Sequence, residues 1–376
     1  MSPVTLAMVL GILLSIVLGT FVFGLKFLLG AIAFFAALYY VGARVFRDER
    51  HPDEIHFVPT PDGWNIAVWR IRPKGSPAKP IPVLLQHGLG ANQRNFDCDD
   101  STSVAHYLAR HGYDCFLPAL RGNGQSRMAD PKNPNRHQIF FEDFVEQDLP
   151  AAMNRIRELT GADEVHYVGH SMGAMIGYAL AESDNAKRLR SFTAIAGPCF
   201  FGAMGRFRAA LPFVPVLRFL KSMPARFIMT AQAPIVRLFP RAAGRDEVNP
   251  DNMDPKTLAL AAASVLEDLP ATLLLQYARW VSEGEFRSTR SERRWEKDLH
   301  NITTPIYCLG GPVDAYCPIE ANRAVVDRVS SERKTYRLFS KANGDLADYG
   351  HGDIVVGRTA PTEVFPTILE WIEQND

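Results

Sequence analysis

Glu164-Val-His-Tyr-Val-Gly-His-Ser-Met-Gly173 combines a strand-like apolar run with a tight turn that carries a serine between two glycines. The helix-prone run Ala174-Met-Ile-Gly-Tyr-Ala-Leu-Ala181 follows at once. Strand, turn and helix in this order form the context of a nucleophile elbow, where the serine adopts a strained backbone at a sharp turn. Side chains at Gly169 and Gly173 would clash across that turn. The pattern therefore predicts that Ser171 is a nucleophile.

A serine hydroxyl is a poor nucleophile without a base. In this architecture the base comes last in the chain, with an orienting acid between nucleophile and base. His351 follows the last predicted strand, on a glycine-flanked loop just before the final predicted helix. Of the other nine histidines, His170 lies inside the elbow and His87 in a predicted oxyanion loop, and the rest lie early or in surface-like segments. We therefore expect His351 to be the base.

Asp314 is the predicted acid. It follows the strand-like run Pro305–Leu309 and the turn Gly310-Gly-Pro-Val. A carboxylate at the C-terminal end of a strand can reach the sheet edge where ligands bind in open α/β folds. Asp348 and Asp353 are rivals that lie within three residues of His351, where carboxylates more often shape a loop.

A tetrahedral oxyanion needs two backbone donors. The first predicted donor is the N–H of Met172, directly after the nucleophile. The second comes from the loop His87-Gly88-Leu89-Gly90, which follows a short apolar strand, and we assign it to the N–H of Leu89. His87 and Gly88 would support this loop.

Strand-like and helical patterns alternate beyond Glu49, which predicts an α/β fold with a mostly parallel, doubly wound sheet and helices on both faces. The predicted strands are Ile66–Ile71, Pro82–Gln86, Tyr113–Leu117, Glu164–Val168, Ser191–Ala196, Pro305–Leu309 and Thr335–Phe339. The predicted helices are Phe144–Thr160, Met172–Glu182, Ala321–Val329 and Pro361–Gln374.

One block interrupts this alternation, because no strand pattern recurs between about Phe200 and Arg290. We interpret residues 199–299 as a helical cap inserted between the two parts of the core, residues 47–198 and 300–376. Residues 185–245 contain no Asp or Glu but eleven Lys and Arg side chains, with phenylalanines interleaved. Two interpretations stay open: docking on anionic lipid, or a buried cap with a solvated basic rim. No RNA-recognition signature accompanies the segment.

The N-terminal residues 1–46 form a predicted transmembrane anchor. Val4–Leu25 and Phe27–Ala43 are uncharged and are separated by Lys26, and a helix that crosses a bilayer needs roughly 20 apolar residues. A hairpin of two spans and one span with an interfacial remainder are both consistent with this pattern. A cleaved signal peptide and a buried hairpin fit less well, because the apolar run is long and carries no basic residue at its start.

The basic residues Arg44, Arg47 and Arg50 follow the apolar stretch, whereas the preceding N-terminus has no basic side chain. Positive-inside bias then places the catalytic domain on the cytoplasmic side of the inner or plasma membrane.

Composition restricts the remaining function classes. The 376 residues are 47% hydrophobic and 22% charged, with a net charge of zero, so no global field favours nucleic acid. The five cysteines are widely spaced and form no CxxC pair, which argues against a zinc site. No metal or cofactor is expected.

The motifs resemble the α/β-hydrolases, and within them the acid-lipase group that includes lysosomal and gastric lipases. The resemblance extends from about Asp53 to the C-terminus. It is carried by Leu84-Leu-Gln-His-Gly-Leu89, Gly112-Tyr-Asp-Cys-Phe116, Arg121-Gly-Asn-Gly-Gln-Ser-Arg127, Asp148-Leu-Pro-Ala151, Tyr167-Val-Gly-His-Ser-Met-Gly173, Leu275-Gln-Tyr-Ala-Arg-Trp280, Gly284-Glu-Phe286, Gly310–Asp314 and His351-Gly-Asp-Ile354 with Gly357. The Arg-Gly-Asn and Asp-Leu-Pro-Ala blocks are more specific to this branch than the serine motif.

The resemblance implies hydrolysis of lipid esters beneath a helical cap, with Ser171, Asp314 and His351 as a triad and Leu89 and Met172 as oxyanion donors. The chain departs from its usual members in three ways. It has an N-terminal anchor although they are secreted or lysosomal, it has Met172 where Gln is common, and its histidine block lacks the usual aromatic residue.

The sequence therefore predicts a membrane-anchored serine hydrolase that cleaves acyl esters, with lipid substrates and membrane lipids as partners. An acyltransferase or thioesterase with the same acyl-enzyme is the alternative within catalysis. A non-catalytic lipid-binding protein on a hydrolase fold is the alternative outside it, and the intact set of Ser171, Asp314 and His351 argues against that alternative. An epoxide or haloalkane hydrolase would need a carboxylate in place of Ser171.

Overall fold

The computed structural model describes residues 3–46, 50–75, 77–201, 211–242 and 248–376. Its strands are β1 (Glu54–Pro59), β2 (Trp64–Ile71), β3 (Val83–Gln86), β4 (Cys115–Pro118), β5 (Arg127–Met128), β6 (Val165–His170), β7 (Leu189–Ile195), β8 (Ser222–Met223), β9 (Leu269–Pro270), β10 (Ile306–Gly310) and β11 (Lys334–Leu338). Its principal helices are α1 (Pro3–Val45), α2 (Val104–Arg110), α3 (Leu149–Thr160), α4 (Met172–Ala181), α5 (Ala225–Leu238), α6 (Pro255–Ser264), α7 (Ala271–Glu283), α8 (Ile319–Arg328) and α9 (Ala360–Glu373).

The main sheet has the strand order β1-β2-β4-β3-β6-β7-β10-β11, and β5 pairs with the end of β2. Six neighbouring strands are parallel, in the order β4-β3-β6-β7-β10-β11. Strand β2 runs antiparallel to both β1 and β4. The order reverses direction along the chain after β3, which creates a crevice at the carboxyl ends of the central strands. The predicted α/β class with a mostly parallel sheet is confirmed.

Side chains that alternate along the strands divide the core into two layers, because successive residues of a strand point to opposite faces. On one face Leu84, Phe116 and Tyr167 pack with helices α3 and α4. On the other face Leu85 and Val168 pack with helices α2 and α9. Strands covered on both faces show the near-continuous apolar runs that the sequence displays.

The seven predicted strands correspond to β2, β3, β4, β6, β7, β10 and β11, with ends that differ by at most two residues. Strand β1 was not predicted, because its exposed positions include the apolar Ile55 and Phe57, whereas its half-buried positions include the polar Glu54 and His56. The predicted helix Phe144–Thr160 consists of a π-helical turn at Phe144–Asp148 followed by α3. The other three predicted helices correspond to α4, α8 and α9.

The predicted cap contains α5, α6 and α7 in its described part. We expected no strand in this block, but β8 and β9 form a two-residue antiparallel ladder there. Strands this short leave no periodic pattern that a sequence could reveal. Some basic and aromatic residues of the segment 185–245 lie outside the described residues, namely Arg206, Phe207, Arg208 and Arg245. Arg47, which follows the apolar N-terminal stretch, also lies outside them.

The N-terminal segment is one continuous helix, α1, of 43 residues, with no turn at Gly24-Leu25-Lys26. The hairpin alternative is therefore not adopted. Within α1, the 22 residues Gly24–Val45 are long and apolar enough to cross a membrane. Most of their side chains are exposed, and α1 packs mainly against the cap helix α5, with a smaller contact to α6.

Candidate active site

Ser171 lies between the end of β6 and the start of α4, with φ of 56° and ψ of −120°. Side chains rarely adopt positive φ, so this backbone is strained and must be held by its neighbours. The Ser171 amide donates to the Ile195 carbonyl at 2.9 Å. A Cβ at Gly173 would lie 2.1 Å from the Gln86 carbonyl oxygen, so only glycine lets helix α4 begin this close to β3. The turn therefore presents the Ser171 hydroxyl at the carboxyl end of the sheet.

Ser171, His351 and Asp314 lie in one hydrogen-bonded chain. The His351 Nε2 atom is 2.8 Å from Ser171 Oγ, and its Nδ1 atom is 2.9 Å from Asp314 Oδ2. The Asp314 side chain has no exposed surface, and its other oxygen accepts from the amides of Tyr316 and Cys317, both at 2.8 Å. These bonds hold a buried carboxylate behind the imidazole, which is the arrangement that lets histidine take a proton from serine.

The two rival carboxylates have other partners. Asp353 is buried and accepts from the amides of Asn249 and Gly350 and from the side chain of Asn252. Asp348 accepts from the Lys341 amide on the surface side of the loop. Both carboxylates shape the loop that carries the histidine, as their sequence proximity suggested.

The loop after β3 lies directly against the serine. A Cβ at Gly88 would lie 2.9 Å from Ser171 Cβ, so a larger residue would push the loop away. The buried His87 ring bonds on both sides: its Nδ1–H donates to the Gly88 carbonyl at 2.9 Å, and its Nε2 accepts from the Leu120 amide at 3.1 Å. Burial lowers the pKa of His87 to about 4, so the ring is neutral, as this pair of bonds requires.

The bond from His87 to the Gly88 carbonyl also orients the following amide, because the C=O and N–H of one peptide point in opposite directions. The N–H of Leu89 is therefore turned away from His87. Neither it nor the N–H of Met172 donates to another group in the described part of the chain. Both amides are thus free to donate, as the predicted role of oxyanion donor requires, and that of Met172 lies at a helix N-terminus.

His170 has a second role that sequence reasoning missed. Its Nε2 atom is 2.9 Å from the backbone carbonyl of His351, and its Nδ1 atom is 3.0 Å from Oδ1 of Asn95. Asn95 Oδ1 in turn accepts from the Gly88 amide at 3.2 Å. Burial, and then the charge of His351, lower the pKa of His170 to about 3, so the ring stays neutral and has a single N–H to donate. We assign this N–H to Nε2, which donates to the His351 carbonyl, and the ring lies between the loop that carries His351 and Asn95.

Arg121 and Asp148 also escaped the sequence reasoning, although they stand in the two branch-specific motifs. The Arg121 amide and guanidinium donate to the buried Asp148 carboxylate at 2.7–2.9 Å. Burial opposes the charge on Arg121, but Asp148 and Asp62 outweigh it and raise the pKa of Arg121. The ion pair fixes the turn that begins at Leu120, whose amide holds His87. Its 27-residue separation gave no local signal.

The cap is joined to the oxyanion loop by backbone and side-chain bonds. The Glu267 amide donates to the Gly90 carbonyl at 2.8 Å, and the Asn92 amide donates to the Val265 carbonyl at 3.1 Å. Asn92 Nδ2 also donates to Glu267 Oε1 at 2.8 Å. The loop that supplies the Leu89 amide therefore also contacts the segment between α6 and α7.

All five cysteines are buried and reduced. Burial raises the pKa of the Cys308 thiol to about 12 and raises those of Cys115, Cys199 and Cys317 well above the ordinary value, so these thiols are not nucleophiles at neutral pH. Among the described residues, no group of three His, Cys, Asp or Glu side chains is placed to hold a metal ion.

Two protein-family models match the chain. The model described as "alpha/beta hydrolase fold" matches residues 81–306, which is more than half of the chain. The model described as "Partial alpha/beta-hydrolase lipase region" matches residues 50–100, which contain the oxyanion loop.

Individual proteins extend this likeness. Lipase member K of Mus musculus is 28% identical over 358 residues, covering 86% of this chain and 89% of its own. Gastric triacylglycerol lipase of Rattus norvegicus is 37% identical over 159 residues, or 39% of this chain and 40% of its own. The structure of a thermophilic esterase from Thermogutta terrifontis is similar in fold, with a TM-score of 0.55 and 18% identity over 86% of this chain and 99% of its own. These relatives confirm the predicted likeness to acid lipases and support a carboxylic ester hydrolase.

Proposed function

Because the chain belongs to the α/β-hydrolase family, we propose that it is a membrane-anchored serine hydrolase that cleaves acyl esters of lipids. One observation carries the proposal: the His351 ring bridges Ser171 Oγ at 2.8 Å and the buried Asp314 carboxylate at 2.9 Å. A serine so placed, beside two free amides, is equipped for acyl transfer to its own hydroxyl.

The proposed reaction has two halves. His351 Nε2 removes the Ser171 proton as Oγ attacks the ester carbonyl, and the Leu89 and Met172 amides stabilise the oxyanion. Collapse of this intermediate breaks the ester bond, and the imidazolium gives its proton to the departing alcohol. Water, deprotonated by the same ring, then attacks the acyl carbon. The bond to Ser171 Oγ breaks, the imidazolium returns its proton to Oγ, and the free acid is released. Asp314 holds the imidazole in place and stabilises its positive charge in both halves.

Within the proposed anchor, residues 1–46, the segment Gly24–Val45 is long and apolar enough to span a membrane. A helix of this length matches the roughly 30 Å hydrocarbon core of a bilayer. The basic residues Arg44, Arg47 and Arg50 lie at the C-terminal end of this segment and just beyond it, which favours a cytoplasmic position of the catalytic domain. Membrane lipids are then both the surroundings of the anchor and the nearest source of acyl esters.

The proposal is tested by the turnover of nitrophenyl esters of increasing acyl length, with the purified full chain in detergent. We expect hydrolysis that Ser171→Ala abolishes, and the control Ser282→Ala, on an exposed face of α7, should retain the full rate. Release of free fatty acid from an acylglycerol, rather than its transfer to an added alcohol, distinguishes hydrolysis from acyl transfer. No turnover by the wild type, or equal turnover by Ser171→Ala, would contradict the proposal.

A further inference from the structure

The anchor helix α1 packs against the cap helix α5 at close range. A Cβ at Gly42 would lie 2.0 Å from the Thr230 carbonyl oxygen, so the two backbones touch at this point. One turn earlier, the rings of Tyr39 and Phe227 are stacked with centroids 4.9 Å apart. From the Tyr39–Phe227 contact to the Gly42–Thr230 contact, the residue number rises by three on both helices. The two helices therefore run in the same direction here. The anchor helix therefore packs directly against the cap.

The stacked pair fixes the depth of the cap relative to the anchor. Tyr39 precedes Arg44, the first charged residue after the uncharged stretch Phe27–Ala43, by five residues, which is about 7.5 Å of helix. The Arg44 guanidinium lies over the Tyr40 ring at 5.4 Å, a pairing suited to the boundary between headgroups and hydrocarbon. Because Phe227 stacks on Tyr39, the first turn of α5 lies on the apolar side of Arg44.

The part of the cap beside this contact is apolar and exposed. We define the cap face as Val216, Phe219, Leu220, Phe227 and Ile228, all of which have exposed side chains. Phe219 is the extreme case at 89% exposure. Exposed groups of large apolar side chains are uncommon in water unless they meet a partner.

Basic side chains flank the cap face. Arg218, Lys221 and Arg226 are exposed, and only Arg226 forms an ion pair, at 3.3 Å with Glu267, among the described residues. Apolar side chains interspersed with basic ones suit the interface of an anionic bilayer, because the rings enter the acyl region while the charges meet phosphate.

The cap face is connected to the oxyanion loop through few residues. Strand β8, just before α5, pairs with β9, and the side chain of Leu269 in β9 packs against Gly90. The Arg226 amide, at the start of α5, donates to Asp268 at 3.1 Å. The surface that carries the exposed rings therefore lies next to the segment that borders the reacting serine.

We propose that the cap face inserts into the headgroup layer of the anionic bilayer that holds α1, and that α1 keeps it there through the contacts at Tyr39 and Gly42. The ester substrate then enters beneath the cap directly from this bilayer. The inference rests on the proposed membrane span and the proposed ester hydrolysis, and it adds the surface through which the two are coupled.

Insertion is measured with a fluorophore on a cysteine introduced by Phe219→Cys, in the full chain reconstituted into vesicles that contain phosphatidylglycerol and lipids brominated on their acyl chains. The five natural thiols are buried, so labelling is confined to the new one. We expect strong quenching at this position. The control Leu346→Cys, at an exposed apolar residue that precedes His351 and is not part of the cap face, should show none. Equal quenching at both sites, or none at residue 219, overturns the proposal.

The role of α1 is measured with two matched glycine variants. Gly42→Leu would separate α1 from α5, whereas a Cβ at Gly30 on the same helix meets no atom within 4 Å. We expect Gly42→Leu to lose the quenching at residue 219 and to hydrolyse a vesicle-borne acylglycerol at least about tenfold more slowly, since the apolar contact of the cap is lost. Its turnover of soluble nitrophenyl butyrate and its labelling yield should be unchanged, and Gly30→Leu should match the wild type throughout.

If Gly42→Leu keeps both the quenching and the vesicle activity, α1 does not hold the cap and the inference is wrong. The quenching measurement does not need turnover, and it can be repeated with Ser171→Ala. Quenching in a chain that hydrolyses no ester would contradict the proposed function while leaving the insertion of the cap face standing, so the two failures are distinguishable.

Discussion

The strained backbone of Ser171 is held by contacts on both sides of the turn. Each of three neighbouring side chains orients one further group of the site. His87 orients the Gly88 peptide, Asp314 holds the ring of His351, and His170 bonds to the carbonyl of His351. Strain of this kind persists only where the surroundings determine the conformation. The residues that support the proposed triad are therefore as closely bonded as its members.

Asp314→Asn should lower kcat by about 10⁴-fold with little change in KM, because an amide favours the wrong imidazole tautomer and cannot stabilise the imidazolium. Steady-state kinetics with a nitrophenyl ester measures the effect. Asp348→Asn is the matched control, since that carboxylate accepts from the Lys341 amide in the same loop. A larger loss in the control than in Asp314→Asn would show that the acid is misassigned.

His170→Ala should lower kcat on the order of 10- to 100-fold, since a displacement of the His351 loop by a fraction of an ångström spoils the alignment of Nε2 with Ser171. KM should change little, and His170→Gln should recover part of the rate because its amide can still donate to the carbonyl. His300→Ala, on the surface, is the control. Unchanged kcat in His170→Ala would remove the link from His170 to the catalytic ring.

The sequence allowed the proposed triad to be chosen because chain order and loop position are local properties of Ser171, Asp314 and His351. It did not reveal the bonds of His170 or the Arg121–Asp148 pair, because these join segments far apart in sequence. Whether a buried histidine touches one carbonyl or another depends on tertiary packing, which no spacing rule describes.

At the scale of elements, helix α4 begins at the proposed nucleophile and ends at an unusual carboxyl group. Both oxygens of the Glu182 carboxyl are buried and have no hydrogen-bond partner among the described residues. Burial, reinforced by Asp298, raises the pKa of Glu182 to about 9. The side chain is therefore neutral in the folded protein at neutral pH.

Glu182→Gln should stabilise the protein at alkaline pH and leave it unchanged at pH 4. The unfolded chain loses the Glu182 proton near the ordinary glutamate pKa of 4.5, whereas the folded chain keeps it until about pH 9. The folded state thus binds more protons in this window, and the stability of the wild type falls as pH rises. Thermal unfolding at pH 4 to 8 should show a difference that grows with pH, whereas the exposed control Glu332→Gln should follow the wild type. A difference independent of pH would refute the buried neutral carboxyl.

The elements were predicted best where one period dominates. Strands covered on both faces gave continuous apolar runs, and α4 followed the glycine-flanked turn. The ladder of β8 and β9 was too short to be seen, and one lysine at position 26 suggested a turn that the continuous helix α1 does not make. A single long side chain can reach out from a helix surface, so Lys26 does not require a break.

At the scale of the whole molecule, the sheet, the cap and the anchor form one connected arrangement. The sheet places Ser171 at its carboxyl edge, the segment between α6 and α7 bonds to the oxyanion loop, and α5 packs on α1. Residue patterns predicted the sheet and the presence of a cap, but the packing of anchor on cap depends on a backbone contact at Gly42 that only the structure reveals.

The proposed topology predicts that the catalytic domain is shielded from outside in intact cells. A cysteine introduced by Ala342→Cys, at an exposed position, offers an accessible thiol against five buried natural ones. A membrane-impermeant maleimide should label it only after the cells are permeabilised, because the basic residues after the span favour the cytoplasmic side. Labelling in intact cells would show that the catalytic domain lies on the outer side instead. The parent chain without the new cysteine is the control.

Covalent labelling decides whether Ser171 is the nucleophile of an ester hydrolase. The full chain is treated with a fluorophosphonate, digested, and examined by mass spectrometry for the modified residue. We expect one adduct, on Ser171, and no labelling of Ser171→Ala. The rate of labelling should fall by several orders of magnitude in His351→Ala, since the Ser171 hydroxyl then lacks its base. An adduct on another residue, or equal labelling of Ser171→Ala, would contradict this assignment.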